Sequence, residues 1–312
     1  MYIGIDLGGT NIAVGLVNED GKIIHKDSVP TLANRPYQEI IKDMGMLVNK
    51  VIKDGGATVD EIKSVGIGSP GTCDNKNGVI VYANNINFFN TPMREELQKY
   101  IDKPIYMEND ANVAALAEYF ILNKEMQCFI FITLGTGVGG GIIINGKIFS
   151  GFNGAGAELG HTVITEDGEP CTCGRNGCWE AYASVTALIR QTKKSMAENP
   201  DSLMHTVAAE EGKISGKTAF IAAKKGDEAG LKVVKAYAKH VSVGIANMIN
   251  IFQPEMLVIG GGISKEGDYL LNPIKEFCNG QTYDKGGIPT TKISIAQLGN
   301  DAGIIGAAFL GK

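Results

Sequence analysis

Four residues near the middle of the chain have the types and spacing of a metal centre. His161 is followed, after nine residues, by Cys171-Thr172-Cys173-Gly174-Arg175-Asn176-Gly177-Cys178. One imidazole and three thiolates make a complete tetrahedral set for zinc. No position is left for a substrate oxygen, so such an ion is structural. Gly174 and Gly177 permit the tight loop that brings Cys173 and Cys178 to a single ion. Three unrelated thiols and a stray histidine would leave that density unexplained. Cys73, Cys128 and Cys278 stand alone and read as packing residues.

Three glycine turns form the second group. Asp6-Leu7-Gly8-Gly9-Thr10-Asn11 closes a short apolar run. Its glycines let backbone N–H groups approach an anion, and Thr10 and Asn11 add side-chain donors. Asp6 is a hard oxygen ligand suited to Mg²⁺, directly or through water. Thr133-Leu134-Gly135-Thr136-Gly137 repeats the device. The run Gly135-Thr136-Gly137-Val138-Gly139-Gly140 matches the dinucleotide pattern G-x-G-x-x-G, but that pattern needs a helix after the turn, and here Ile142-Ile143-Ile144 and a hairpin signal follow. Gly260-Gly261-Gly262 is the third turn, where a flat base could lie against bare backbone. Two phosphate turns and a third glycine turn point to a bound nucleotide.

These groups need elements to hold them. The alternation predicts strands from Tyr2 to Asp6, Ile12 to Val17 and Lys22 to His25, a helix from Pro36 to Lys53, and a strand from Ile62 to Gly68. A short helix from Met93 to Ile101 precedes a strand from Ile105 to Met107. Glu108-Asn109-Asp110 ends that strand, and a helix runs from Ala111 to Leu122. Then the layout restarts, with strands at 129–134, 141–144 and 147–149 around a Gly-Thr turn. Residues 3–23 and 130–148 therefore read as an internal duplication. The second half is largely helical after Trp179, with an apolar stripe from Leu231 to Phe252 and strands at 257–259 and 293–296. Asp301 is placed to cap a closing helix that reaches Leu310. The expected domains are 1–111 plus 300–312, and 112–299 carrying the metal loop at 161–178.

Composition narrows the classes. The chain has 312 residues, enough for two domains, and a net charge of −5. A protein held to nucleic acid by a basic face is excluded on that balance. With 44% hydrophobic residues it is not a disordered chain. The uncharged stretch from Met126 to Gly146 has the length of a membrane span, but its glycines split it into two short runs, so it reads as two strands. A soluble, cytoplasmic protein with no membrane partner is expected, and clustered cysteines beside a histidine suit a reducing compartment.

The turns at Asp6-Leu7-Gly8-Gly9-Thr10, Leu134-Gly135-Thr136-Gly137 and Ile259-Gly260-Gly261-Gly262 resemble those of the sugar kinases, actin and heat-shock ATPases. Gly68-Ser69-Pro70-Gly71, Glu108-Asn109-Asp110-Ala111-Asn112, Gly156-Ala157-Glu158-Leu159-Gly160-His161 and the cysteine loop narrow the resemblance to the ROK family of repressors and bacterial sugar kinases. It implies an α/β fold of the two-domain actin-like, hexokinase (ribonuclease H-like) type, with duplicated mixed sheets flanked by helices and a zinc-bound loop. The expected activity is ATP-dependent phosphorylation of a hexose 6-hydroxyl. Cys173-Gly174-Arg175-Asn176-Gly177-Cys178-Trp179-Glu180 and the overall length favour glucose; fructose, mannose and N-acetylhexosamines are the alternatives.

The resemblance makes Asp110 the catalytic base and assigns sugar contacts to Gly71, Asn84 or its neighbour Asn85, Asn109, Asp110, Glu158, His161 and Glu180. His161 would serve zinc with one ring nitrogen and sugar with the other. Chemistry agrees independently: a sugar hydroxyl is a weak nucleophile, and a carboxylate at a strand-to-helix junction can accept its proton. A homodimer is expected. The rival within the family is a sugar-responsive repressor, whose DNA-binding domain would precede the turn that begins here at Asp6.

Overall fold

The structure is a computed structural model that describes residues 1–83, 85–122, 125–283 and 287–312. Along the chain run β1 (Tyr2–Leu7), β2 (Asn11–Val17), β3 (Ile23–Pro30), α1 (Tyr37–Asp54), β4 (Val65–Ser69), β5 (Thr72–Asp74), β6 (Val79–Ala83) and β7 (Phe88–Thr91). They are followed by α2 (Met93–Gln98), β8 (Ile105–Asn109), α3 (Asp110–Leu122), β9 (Cys128–Leu134), β10 (Val138–Ile144) and β11 (Lys147–Ile148). The helical stretch holds α4 (Glu180–Ala183), α5 (Val185–Glu198), α6 (Leu203–Glu210), α7 (Thr218–Lys224) and α8 (Glu228–Phe252). The chain closes with β12 (Met256–Gly260), α9 (Asp268–Gln281), β13 (Lys292–Ile295) and α10 (Ala302–Phe309).

Contacts divide the chain into two compact units. The first holds Met1–Met126, Gly141–Ala157 and Gln297–Lys312, and the second Gln127–Gly140 and Glu158–Ala296. The expected bounds differ in giving α3 and residues 141–157 to the second domain. In the structure α3 packs on α10, close enough that a Cβ on Gly306 would meet the Val113 carbonyl oxygen at 1.9 Å.

Two five-stranded mixed sheets repeat one plan. The first has the order β3-β2-β1-β4-β8, the second β11-β10-β9-β12-β13. In the first, β1 pairs antiparallel with β2 and parallel with β4, and β4 pairs parallel with β8. In the second, β12 pairs parallel with both β9 and β13. The repeat legible over three strands thus extends to five. β1 is buried at every position but Asp6, as a central strand covered on both faces must be. β3 alternates half-buried and exposed residues at the sheet's edge and continues to Pro30, beyond the expected end at His25. His25 and Asp27 occupy half-buried positions within a period-two pattern, which a run of polar residues conceals.

A third sheet, β5-β6-β7, goes beyond the expected strands: its strands are short, and the asparagines between them, Asn75, Asn77, Asn85 and Asn87, break the apolar pattern. Among the described residues, no helix is long and apolar enough to cross a membrane.

Candidate active site

In the first unit the chemistry gathers where parallel strands end. Asp6 of β1 is in register with Gly68 of β4, which is in register with Glu108 of β8. Asn109 pairs with Ser69 one step further on, and Asp110 opens α3. Side chains at such carboxyl ends face the crevice where open α/β sheets bind ligands. Burial, and then the negative charge of Asp110, push the Asp6 carboxyl up to about 6. Glu108 is also raised by burial, against the N–H of Asn109 and the amide of Asn112. The Cys73 thiol is pushed up to about 12 by burial and then by the charges of Glu108 and Asp110, which makes it an inert packing residue. A buried carboxylate beside a second one is a place that favours a cation.

Asn109 caps α3. Its Oδ1 accepts the N–H of Ala111 at 2.9 Å and of Asn112 at 3.4 Å, while its Nδ2 donates to the Gly71 carbonyl at 3.2 Å. The capping role open to Asp110 therefore falls mainly to its neighbour. Asp110 sits at the first helical position, with Oδ1 accepting the Ala111 N–H at 2.8 Å. Gly71 has φ +84°, and a Cβ there would meet the Tyr82 carbonyl at 1.9 Å, so only glycine fits. Of the two asparagines proposed for sugar, Asn84 lies outside the described residues. Asn85 lies on the first glycine turn, 3.2 Å from where a Cβ of Gly9 would stand.

That turn closes with the Gly8 N–H donating to the Asn11 carbonyl at 2.9 Å. Thr31, fully buried at the end of β3, grips it from behind. The Thr31 N–H donates to the Thr10 carbonyl at 2.8 Å and its hydroxyl to the Gly8 carbonyl at 2.6 Å. The start of α10 stands beside Asp6: a Cβ on Gly303 would be 2.6 Å from the carboxyl carbon.

In the second unit Thr133 is in register with Gly260, so the second and third glycine turns lie side by side. Gly261 has φ +85°, and a Cβ there would meet the Leu134 carbonyl oxygen at 2.3 Å, whereas a Cβ on Gly262 would face open space. The Gly135 N–H closes the turn on the Gly137 carbonyl at 3.0 Å. The Val185 N–H at the start of α5 reaches the Gly135 carbonyl at 2.8 Å, and the Thr186 hydroxyl reaches that of Thr136 at 2.7 Å. Glu180 accepts the Val138 N–H at 3.0 Å through Oε2, while Oε1 lies 3.4 Å from the Thr172 hydroxyl. Glu180 thus links the cysteine loop to the glycine turn.

The loop brings its predicted ligands together. One donor atom from each of His161, Cys171, Cys173 and Cys178 lies within 4.8 Å of every other. His161 Nδ1 is 3.6 Å from Cys171 Sγ, and the Cys173 and Cys178 sulfurs are 3.6 Å apart. Zn–S bonds of roughly 2.3 Å at tetrahedral angles separate sulfurs by about 3.8 Å, so the set fits a zinc-sized tetrahedral ion. With Nδ1 turned to the sulfurs, Nε2 is the nitrogen left for a second partner. Trp179 anchors the loop: it is fully buried, its N–H bonds the Thr162 carbonyl at 2.7 Å, and its indole N–H bonds the His240 carbonyl at 2.9 Å. Glu158 is exposed and follows Ala157, whose φ of +63° turns the chain sharply.

The first unit therefore gathers Asp6, Gly8, Gly9, Thr10, Asn11, Gly71, Asn109 and Asp110. The second gathers Thr133, Gly135, Thr136, Gly137 and Gly260–Gly262 with Glu180, and the metal set with Glu158 nearby in sequence. Three residues escaped the sequence reading: Thr31, Thr186 and Glu118. Glu118 is a fully buried carboxylate in α3 that accepts the N–H groups of Gln297 and Leu298 at 2.8–3.1 Å. An acidic residue within the apolar run from Ala111 to Leu122 was the one available signal, and its partners are some 180 positions away.

The model of the ROK family matches residues 2–312. A glucokinase of Thermotoga maritima is 38% identical over 310 residues, 99% of this chain and 96% of that protein. An N-acetylmannosamine kinase of Haemophilus influenzae is 31% identical over 98% of this chain and 94% of its own length. Among solved structures, a ROK family glucokinase from Streptomyces griseus in complex with glucose and AMPPNP superposes with a TM-score of 0.81 at 35% identity, covering 99% of this chain and 98% of that one.

Proposed function

The chain belongs to the ROK family, and on that premise we propose that it is an ATP-dependent hexose 6-kinase that converts glucose to glucose 6-phosphate. The observation that carries this reading is the carboxylate site at the end of β8. Asn109 caps the helix, and Asp110, beside Asp6, is the general base. Asp110 accepts the proton of the sugar 6-hydroxyl as that oxygen bonds to the γ-phosphorus and the bond to ADP breaks. The glycine turns hold phosphate oxygens with backbone N–H groups, and Gly260–Gly262 seats the base. Asp6, a carboxylate in an electronegative pocket, would hold Mg²⁺ directly or through water. That ion supplies neutralisation of phosphate charge.

Gly71, Asn109, Glu158, His161 and Glu180, with Asn84 or Asn85, read the sugar hydroxyls. Zinc held by His161, Cys171, Cys173 and Cys178 is structural in this reading. A cytoplasmic location and a homodimer belong to the same proposal; the dimer is checked by sedimentation. The similarity to an N-acetylmannosamine kinase supports N-acetylhexosamines as the second substrate class.

A panel of hexoses in a coupled ADP-release assay tests the proposal. ADP release strictly dependent on added sugar and fastest with glucose is the expected result. Sugar binding without turnover would favour a sensor instead, and sugar-independent ATP hydrolysis would overturn the kinase reading.

A further inference from the structure

We infer that Thr31 and Thr186 are positioning residues that aim the N–H groups of the two glycine turns at phosphate, an inference that rests on the kinase reading above. Each turn is gripped by its carbonyl oxygens. At the first, Thr31 takes the Gly8 and Thr10 carbonyls with its hydroxyl and its N–H. At the second, the Thr186 hydroxyl takes the Thr136 carbonyl and the adjacent Val185 N–H takes that of Gly135. No described peptide bond is cis. In a trans peptide the C=O and the following N–H point in opposite directions. Pulling the carbonyls of Gly8 and Thr10 toward Thr31 therefore turns the N–H groups of Gly9 and Asn11 the other way. Pulling those of Gly135 and Thr136 toward α5 does the same to the N–H groups of Thr136 and Gly137.

The direction matters at the first turn because Thr31 is fully buried while Thr10 and Asn11 are exposed. Away from Thr31 is toward solvent, where an anion arrives. A row of N–H groups fixed before the ligand comes binds phosphate without reorganisation. The duplication does not supply this restraint automatically. Thr31 directly follows β3, whose counterpart in the second sheet is β11, whereas Thr186 lies in the first turn of α5. Non-corresponding elements impose one restraint on corresponding turns, which marks carbonyl gripping as something both turns require. A hydroxyl that donates inward cannot give the same proton to phosphate, so each threonine acts through the turn.

The test compares Thr31→Val, Thr186→Val and the matching Ser variants in full-length protein, reading the Kd for ATP by calorimetry and the KM values for ATP and glucose. Each valine should raise Kd and KM for ATP about tenfold, as misaligning one hydrogen bond to a charged group does, with glucose KM held within about twofold. Serine, which keeps the hydroxyl, should restore most of the loss. Unchanged ATP affinity in the valine variants would overturn the inference. So would serine behaving like valine, or ATP and glucose KM rising together. If Thr31→Val does not fold, the exposed Thr186 pair decides. If the wild type binds ATP but turns over no hexose, the kinase reading falls while the Kd comparison still decides the grip. A wild type that binds no ATP would overturn both.

Discussion

Asp110 and Asn109 are adjacent acceptors at one helix start, and the geometry gives them different work. Asn109 spends Oδ1 on two helical N–H groups and Nδ2 on Gly71. Asp110 adds its charge to the pocket around Asp6, where burial and that charge hold the Asp6 carboxyl up to about 6. Asp110→Asn removes the proposed base while conserving shape. It should lower kcat by about 10²–10⁴-fold, leave glucose affinity near wild type and leave the melting temperature unchanged or higher, since one of two neighbouring carboxylates is gone. Steady-state kinetics beside a thermal melt reads both. Retention of more than about a tenth of wild-type kcat would show that Asp110 is not the base.

At the scale of elements, α8 is held at its start by the half-buried carboxylate of Asp227. Asp227 accepts the N–H of Gly230 at 2.6 Å, the N–H of Leu203 at 2.9 Å and the Ser202 hydroxyl at 2.9 Å, so it caps α8 and ties it to α6. Burial raises its carboxyl, but these three bonds outweigh burial and hold it below the ordinary value of 3.8. A depressed acid stabilises the fold fully above its unfolded value and loses that contribution as pH falls through the folded one. Asp227→Ala should cost about 1–2 kcal/mol at neutral pH. The gap between wild type and variant, read from urea midpoints, should close as the pH falls below about 4. A gap that is constant with pH would mean that shape, not the charge, matters there. Glu118 does comparable work inside α3, fixing the chain where it returns at Gln297 and Leu298 to begin α10. This latch was hidden because its donors are backbone groups, which carry no residue signature.

At the scale of the whole molecule, the metal loop is joined to the second glycine turn. Glu180 follows Cys178 by two residues and accepts the Val138 N–H beside the second glycine turn. Cys173→Ala should abolish stoichiometric zinc and raise glucose KM, and through Glu180 it should also raise ATP KM, by a smaller factor. Elemental analysis and kinetics on the same preparation check this. Trp179, the single tryptophan of the chain, packs beside the cluster and should report metal removal as a change in fluorescence. A metal-free preparation with wild-type KM values for both substrates would remove zinc from the architecture of the site.

Local chemistry was legible in the sequence: the Cys₃His set, the strand-turn-strand layout of both glycine turns, and the Asn109-Asp110 junction. Each of these is short-range, with its signal in residue types a few positions apart, so spacing alone reveals it. The duplication was visible over three strands because hairpins join neighbours. Its fourth and fifth strands, β4 and β8 against β12 and β13, arrive through long connections whose lengths differ between the two halves. Tertiary structure alone decided which carbonyls Thr31 and Thr186 hold, that Asn109 rather than Asp110 does most of the capping, that Glu180 touches the glycine turn, and where α3 belongs. These are contacts made by backbone groups across long separations. Every residue carries the same N–H and C=O, so no letter of the sequence marks which of them will meet.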